Sequence, residues 1–182
     1  MDAARSGTRP YRLGAFVDSV GWVEHTYGRV WQHLDNRLLA APDHGHIELI
    51  RSLIALLDGP FNVAYSLLVP RDDSKDEGRF ELVAPLTTEE LSTFLGRYRE
   101  LFEDDGRHDL LITGQNGEIL YDQHNVMYLS GPIDRFEPVL NKAGLREAEV
   151  AFPSPHSHHY HEELDSLLDD MLERFEWKWY PG

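Results

Sequence analysis

The sequence predicts a single α+β domain, in which an antiparallel or mixed β-sheet of about five to six strands is packed by helices. Three observations support this fold class. Of the 182 residues, 41% are hydrophobic and 11% aromatic, which is enough to bury one continuous core. Turn signals separate short segments of alternating polarity from longer segments with helical spacing. The resulting order, α-α-β-β-α-β-β-β-α-β-α, is rich in hairpins and differs from the strict β-α-β alternation of a Rossmann fold.

The N-terminal part of the chain predicts an arm followed by a long helix. Residues 1–12 are polar and basic, which indicates a flexible arm ahead of the domain at 13–182. Between Phe16 and Leu38 the apolar residues recur in steps of three, four or seven, which is the spacing of an amphipathic helix. Gly28 weakens that pattern, so a break or kink is expected there.

A buried helix and two strands are expected next. Asp43 is placed to cap the helix, whose apolar stripe is so wide that most of its sides should be buried, and Asp-Gly-Pro at 58–60 ends it. The strand expected over 61–69 has apolar residues on both faces, which is typical of a central strand. A charged loop separates it from a second strand over 79–84.

The second half of the chain begins with the clearest helix start, because Thr87 and Glu90 stand at the spacing of a capping box. A three-stranded meander follows, with Asn116-Gly117 as the turn of its first hairpin. Its strands are expected over 108–113, 118–122 and 126–130. The last elements are a short helix over 134–143, a strand over 148–152 and a final helix whose apolar residues run from Tyr160 to Phe175.

Composition argues against several classes of protein. Seventeen Lys and Arg against thirty-two Asp and Glu give a net charge of −15, so binding to a nucleic-acid backbone, which needs clustered basic residues, is not expected. Anionic lipid would repel the same surplus, and no apolar run is long enough to cross a bilayer, so no membrane partner is expected. Because there is no cysteine and no signal peptide, the protein is expected to be cytoplasmic.

The common enzyme motifs are missing from the sequence. It contains no G-x-S-x-G nucleophile elbow, no phosphate-binding P-loop and no G-x-G-x-x-G after a strand. The segment from His161 to Asp165 begins like the zinc-binding helix of a metalloprotease, but the second histidine of that motif is missing. Sequence motifs therefore leave open whether the protein is an enzyme.

A histidine cluster is the strongest candidate for a metal site. Nearby prolines should keep the chain extended, so that His156 and His158 point to the same side. If a helix begins just after them, His161 and Asp165 lie one turn apart on one face. These four residues are the predicted ligands, and two imidazoles with a carboxylate suit zinc or another transition metal. The alternative interpretation is a solvated connector that binds no cofactor.

Two further histidine features are weaker candidates. His44 and His46 form a second H-x-H at the start of the buried helix, where the helix dipole favours the neutral imidazole that binds metals. Asp122 and His124 have the residue types of an acid–base pair, but on a tight hairpin local hydrogen bonds within the turn are the simpler interpretation.

The C-terminal helix is the candidate surface for a protein partner. Residues 161–176 carry seven acidic side chains against one arginine, a net charge of −6, and an aromatic group follows. Charge would steer a basic partner and the aromatic rings would anchor it. The predicted contact residues are Trp177, Trp179, Tyr180, Asp169, Asp170 and Glu173. Alternatively, the acidic face is only solvated and the tryptophans fold back onto the core.

These observations lead to one main functional interpretation and two alternatives. The main one is an acidic protein without enzymatic activity, an adaptor- or inhibitor-like module that binds a protein with a basic surface and needs no cofactor. The first alternative is a divalent-metal-dependent hydrolase that uses His156, His158 and His161 as ligands, with Glu162 or Glu163 as base. The second is a homodimer whose exposed aromatic residues meet their own copies.

Overall fold

The structure, a computed structural model, describes residues 12–71 and 75–182, so the expected arm at 1–12 lies outside it except for Arg12, which is fully buried. The described residues form a mixed α/β fold with five α-helices, a nine-stranded sheet and a three-stranded sheet. The expectation of an antiparallel or mixed sheet packed by helices is thereby confirmed, but the expected count of five to six strands is wrong.

The N-terminal third folds as strands, and the long helix expected between Phe16 and Leu38 is wrong. The four strands are β1 (Leu13–Val17), β2 (Gly21–Glu24), β3 (Val30–Leu34) and β4 (Arg37–Ala41). Gly21 and Asp35 take positive φ angles at the two hairpin turns. Strand β4 is buried on both faces at four consecutive residues, so its apolar positions fit a helical spacing without forming a helix.

Helix α1 (His46–Ile54) is the expected buried helix, but its cap differs from the prediction. Gly45, in the left-handed conformation with φ 68°, precedes the first turn and provides no side-chain cap. Asp43 instead forms ion pairs with Arg29 and His44. The next strands, β5 (Asn62–Leu67) and β6 (Gly78–Leu82), lie where alternation predicted them.

The capping box and the meander are confirmed. Thr87 caps α2 (Thr88–Arg97) by accepting from the Glu90 amide, while the Glu90 carboxylate accepts from the Thr87 amide. The expected continuous helix splits at Tyr98 into α2 and α3 (Arg99–Asp104). The meander strands are β7 (His108–Thr113), β8 (Glu118–Tyr121) and β9 (Met127–Ser130).

The C-terminal part adds α4 (Ile133–Lys142), β10 (Arg146–Glu147), β11 (Ser157–His158), α5 (Asp165–Arg174) and β12 (Trp177–Pro181). The strand expected over 148–152 is wrong. The Ala148 amide still donates to the Trp31 carbonyl. The Val150 amide, however, donates to the side chain of Gln32, so the backbone hydrogen bonds between β10 and β3 do not continue past Ala148. The final helix begins at Asp165, after a 3₁₀ turn. Strand β12 was not among the predicted strands.

The larger sheet has the order β10-β3-β4-β9-β8-β7-β5-β6-β12, and only the β10–β3 pair is parallel. One core fills the space between this sheet and the helices, with buried residues such as Ile50, Phe94, Phe102, Leu110 and Ile119. No helix in the described ranges is long and apolar enough to cross a membrane.

A second, smaller core joins the two sheets. The three-stranded sheet has the order β11-β1-β2, and Leu13 of its central strand is fully buried. Leu13 belongs to one cluster with Tyr27, Leu39, Val126 and Val150. This second core therefore holds the small sheet beside the β8–β9 turn. The candidate site lies where the two meet.

Candidate metal centre

Three histidines from two distant segments converge beside the second core. His124 lies in the β8–β9 turn, and His156 and His158 lie at β11. Each offers one ring nitrogen, and these nitrogens all lie within 4.8 Å of one another. The ring centroids are 5.0 Å apart for His124–His156 and 5.3 Å apart for each of the other two pairs. We refer to these three residues as the histidine triad.

Strand pairing places His156 and His158. His158 stands opposite Leu13 in the β1–β11 ladder, and alternation along an extended chain directs the residue two positions earlier to the same face. The two rings accordingly meet, as the predicted extended approach requires. His159 points to the opposite face, where its ring lies 5.2 Å from that of Trp22.

The turn between β8 and β9 places His124 through its own hydrogen bonds. One carboxylate oxygen of Asp122 accepts from the backbone amides of His124 and Val126, at 2.9 and 3.3 Å. The other lies 2.9 Å from His124 Nδ1. The Tyr27 hydroxyl donates to the His124 carbonyl. The turn bonds and the Asp122–His124 pair, which the sequence presented as alternatives, therefore occur together.

These contacts decide which ring nitrogens have a lone pair to offer. A carboxylate only accepts, so His124 Nδ1 carries the proton and Nε2 is the ligand atom. The same argument applies to His156, whose Nδ1 lies 3.0 Å from the Pro153 carbonyl oxygen. His158 Nδ1 is buried and has no hydrogen-bond partner among the described residues. A buried, unpaired ring nitrogen is costly unless something occupies it.

Two charged groups lie next to the triad, the buried Arg12 guanidinium and the Asp122 carboxylate of the β8–β9 turn. Arg12 donates to the carbonyl oxygens of Phe102, Asp105 and Asp122, and so joins α3 to the turn. Burial, followed by the charges of neighbouring His124, His156 and Arg12, lowers the pKa of His158 to about 4. The hydrogen bond with Asp122 raises the pKa of His124. His158 is therefore a neutral imidazole at pH 7, which is the form that binds metals.

The geometry fits a transition metal that keeps one coordination position open. Zinc bonded to imidazole at about 2.0–2.1 Å in a tetrahedron needs about 3.4 Å between ligand nitrogens. The triad nitrogens lie within 4.8 Å of one another, so small side-chain rotations would bring them to that distance. Three protein ligands leave the fourth position for water or another ligand, which is the arrangement of catalytic rather than structural zinc sites.

The structure does not bring the other two predicted ligands to the triad. His161 is buried on the opposite side of the strand, with its ring 4.7 Å from that of His159 and its Nδ1 3.5 Å from the Glu163 carboxylate. Asp165 accepts from Arg71 and Arg107, at 2.7 and 2.6 Å. The helix that would have aligned these two residues begins only at Asp165.

The second H-x-H also lies apart from the triad. His44 is exposed, with its Nδ1 2.8 Å from Asp43. His46 is buried and stacks on the Tyr121 ring at 5.4 Å. The segment that lies next to His156 and His158 is the Asp-x-His turn, which provides the third triad member.

The predicted partner-binding residues fall into three environments. Asp169 pairs with Lys75, and Asp170 accepts from Arg97, Arg174 and the Tyr98 hydroxyl. Those three donors hold the pKa of Asp170 well below its usual range.

The aromatic part of that surface is partly covered. The indole of Trp177 donates to the Met171 carbonyl and packs against the main core. Tyr180 lies under Lys178, whose ammonium is 4.9 Å from the ring centroid. Trp179 stays 44% exposed on β12, at the edge of the large sheet, and Glu173 is exposed.

Comparison of the chain with protein-family models, with curated proteins and with solved structures found no match.

Proposed function

We propose that the protein binds a divalent transition metal, zinc foremost, at His124, His156 and His158. The observation that carries this proposal is the convergence of three ring nitrogens within 4.8 Å, in a cluster where Asp122 and the Pro153 carbonyl lie beside the Nδ1 atoms of His124 and His156. A carboxylate or carbonyl behind a ligating histidine sets its tautomer and orientation, which is the usual arrangement of protein metal sites.

The chemistry that such a site supports best is metal-dependent hydrolysis. Imidazole is an uncharged ligand, so an ion held by three of them would keep its full charge and the open position could activate water at neutral pH. The exposed His156 leaves that position accessible from solvent. This proposal keeps the hydrolase class of the sequence-based alternative, but His124 replaces His161 in the ligand set, and Glu162 and Glu163 have no proposed role.

Metal content of tag-free protein tests the proposal. We expect about one equivalent of zinc per chain after reconstitution and dialysis, and stoichiometric binding should be lost in His124→Ala, His156→Ala and His158→Ala. The matched control is His44→Ala, since His44 is exposed and lies outside the triad. Wild-type protein that retains no metal, or triad variants that retain as much as the control, would contradict the proposal.

A second candidate function is docking of a basic protein at strand β12. The observation that favours it is Trp179, which is 44% exposed on an edge strand of a protein with a net charge of −15. Because Asp169 and Asp170 already have basic partners, Glu173 and acids elsewhere would have to steer such a protein. No cofactor is required for this function.

Pull-down from lysate at increasing salt tests this second function. Recovery of a basic partner should fall with salt and should fall several-fold in Trp179→Ala. Val83→Ala is the control, because Val83 is also exposed and lies outside β12. Recovery that is equal in both variants and unchanged by salt would exclude this mode of binding.

A further inference from the structure

The charge around the triad favours an anionic ligand. A divalent ion held by three imidazoles would keep two positive charges, and the Arg12 guanidinium lies beneath them. Two carboxylates lie nearby, but both are engaged in the turn. Asp122 holds His124, and Asp109 accepts from the Gln123 amide. Hydrogen bonding leaves the charges of these carboxylates in place, so they offset two of the three positive charges of the ion and Arg12, and one net positive charge remains at the open coordination position.

An apolar surface continues from the triad along one face of the small sheet. In the β1–β2 ladder Ala15 stands opposite Val23, and Leu13 stands opposite His158 in the β1–β11 ladder. Since Leu13, Ala15 and Val17 alternate to the same face, Val23 and Val17 lie on the face that carries His158. These two valines are 43% and 41% exposed.

A second apolar wall touches the triad directly. Phe152 is 44% exposed, and its ring meets that of His124 at 5.8 Å, nearly perpendicular. Tyr27 packs against the other edge of Phe152 at 6.3 Å and belongs to the second core. Phe152 therefore adjoins the triad directly, and on the hairpin side the valines are accompanied by the polar ring of His25, whose amide donates to the Leu13 carbonyl.

We infer that the ligand of this site is a carboxylate with an apolar chain, whose carboxylate takes the open metal position while the chain lies against Phe152, Val23 and Val17. The inference rests on the proposed metal site. It follows from the net positive charge at the open position together with the exposed apolar side chains nearby, since each CH₂ removed from water strengthens binding up to about fourfold.

Cobalt-loaded protein allows the inference to be tested separately from metal binding. The d–d absorption of Co²⁺ first shows whether the triad binds metal, and titration with acetate and octanoate then reports ligand entry. We expect octanoate to bind at least about tenfold more tightly than acetate, because six further methylenes contact the apolar surface. Octylammonium, with the same chain and the opposite charge, should leave the spectrum unchanged.

Two variants and a matched control locate the apolar contact. Val23→Ser and Phe152→Ser should each lower the ratio of octanoate to acetate affinity about three- to tenfold. Phe16→Ser is the control, because Phe16 is 74% exposed on the same hairpin but on the opposite face. Cobalt bound with equal affinities for acetate and octanoate, or with a response to octylammonium, would overturn the inference alone. Absence of any cobalt spectrum would overturn the proposed metal site.

Discussion

At the scale of single residues, Asp122 decides whether His124 can act as a ligand. Its carboxylate accepts from three groups of the turn, which fixes both the loop and the tautomer of the ring. A histidine without such a partner rotates freely and offers either nitrogen. The structure therefore assigns Asp122 a positioning role.

Replacement of this carboxylate tests the positioning role. Asp122→Asn keeps the size of the side chain and the acceptor for the His124 amide but removes the charge behind the ring. We expect zinc affinity to fall about 10- to 100-fold, the usual cost of removing such a partner. Isothermal titration with competing chelator measures the change.

A second replacement provides the control for Asp122. Asp109→Asn alters the neighbouring carboxylate, which bonds the Gln123 amide and not a ligand ring. It should change zinc affinity far less. Equal losses in the two variants, or none in Asp122→Asn, would show that the carboxylate does not orient the ligand.

Triad membership could be predicted only in part from the sequence. The same-side placement of His156 and His158 is a local property of an extended chain and is visible in the spacing. His124 is 32 positions away from His156, and what joins them is the pairing of β11 with β1 and the burial of Leu13. Neither segment carries a local sequence signal for that strand pairing, so the sequence could not show that the Asp-x-His turn lies next to the histidine cluster.

At the scale of elements, local signals predicted structure well where side chains bond to the backbone. The Thr87–Glu90 box specifies its own geometry within four residues and is found where expected, and the β7–β8 hairpin lies where Asn116-Gly117 predicted it, although neither residue takes the positive φ angle of a type I′ turn. Such signals do not depend on the rest of the fold.

Periodicity failed across the N-terminal strands, where apolar residues lie both on exposed hairpin faces, as Phe16 and Val20 do, and on both faces of the buried strand β4. Residues 38–41 of β4 are all buried, since helices cover one side of the sheet and the second core covers the other. Without a solvent-exposed face the alternation disappears, and apolar residues then match a helical spacing equally well. Strand β12 was missed for a different reason, since it has no buried residue, with Trp177 half-buried and Trp179 exposed, and so gives no apolar face to recognise.

At the scale of the whole molecule, buried basic groups link stability to pH. His108 is fully buried between the rings of Tyr65 and Phe102, at 5.1 and 5.7 Å. Burial, together with the charges of Arg12 and Arg107, lowers the pKa of His108 well below 6.5. The unfolded chain takes up this proton near pH 6.5 and the folded chain does not, so acid favours unfolding.

Urea unfolding between pH 7.5 and 5 measures this linkage. The free energy of unfolding should fall as the pH drops below about 6.5, and His108 should contribute up to about 1.4 kcal/mol per pH unit to the slope. His108→Gln, which cannot take up a proton, should reduce the slope by that amount. An unchanged slope in this variant would mean that His108 is protonated in the folded protein.

Acidic side chains of the C-terminal helix pair with basic residues from distant parts of the chain. Asp165, Asp169 and Asp170 of the acidic helix all pair with basic residues from other elements, among them Arg71, Lys75 and Arg97. Exposed pairs of this kind contribute little to stability individually. Their effect is to leave the ridge less negative than its sequence suggests, which the sequence alone could not show because the partners lie far away along the chain.

The separation between the triad's two segments has a mechanical consequence. An ion shared by residues 124 and 156–158 would tie the small sheet to the meander across a loop of more than thirty residues. In proteins exported to oxidising surroundings, disulfides commonly close loops of this size. This chain has no cysteine, so the imidazoles would provide its reversible cross-link, one that a chelator could undo without breaking a covalent bond.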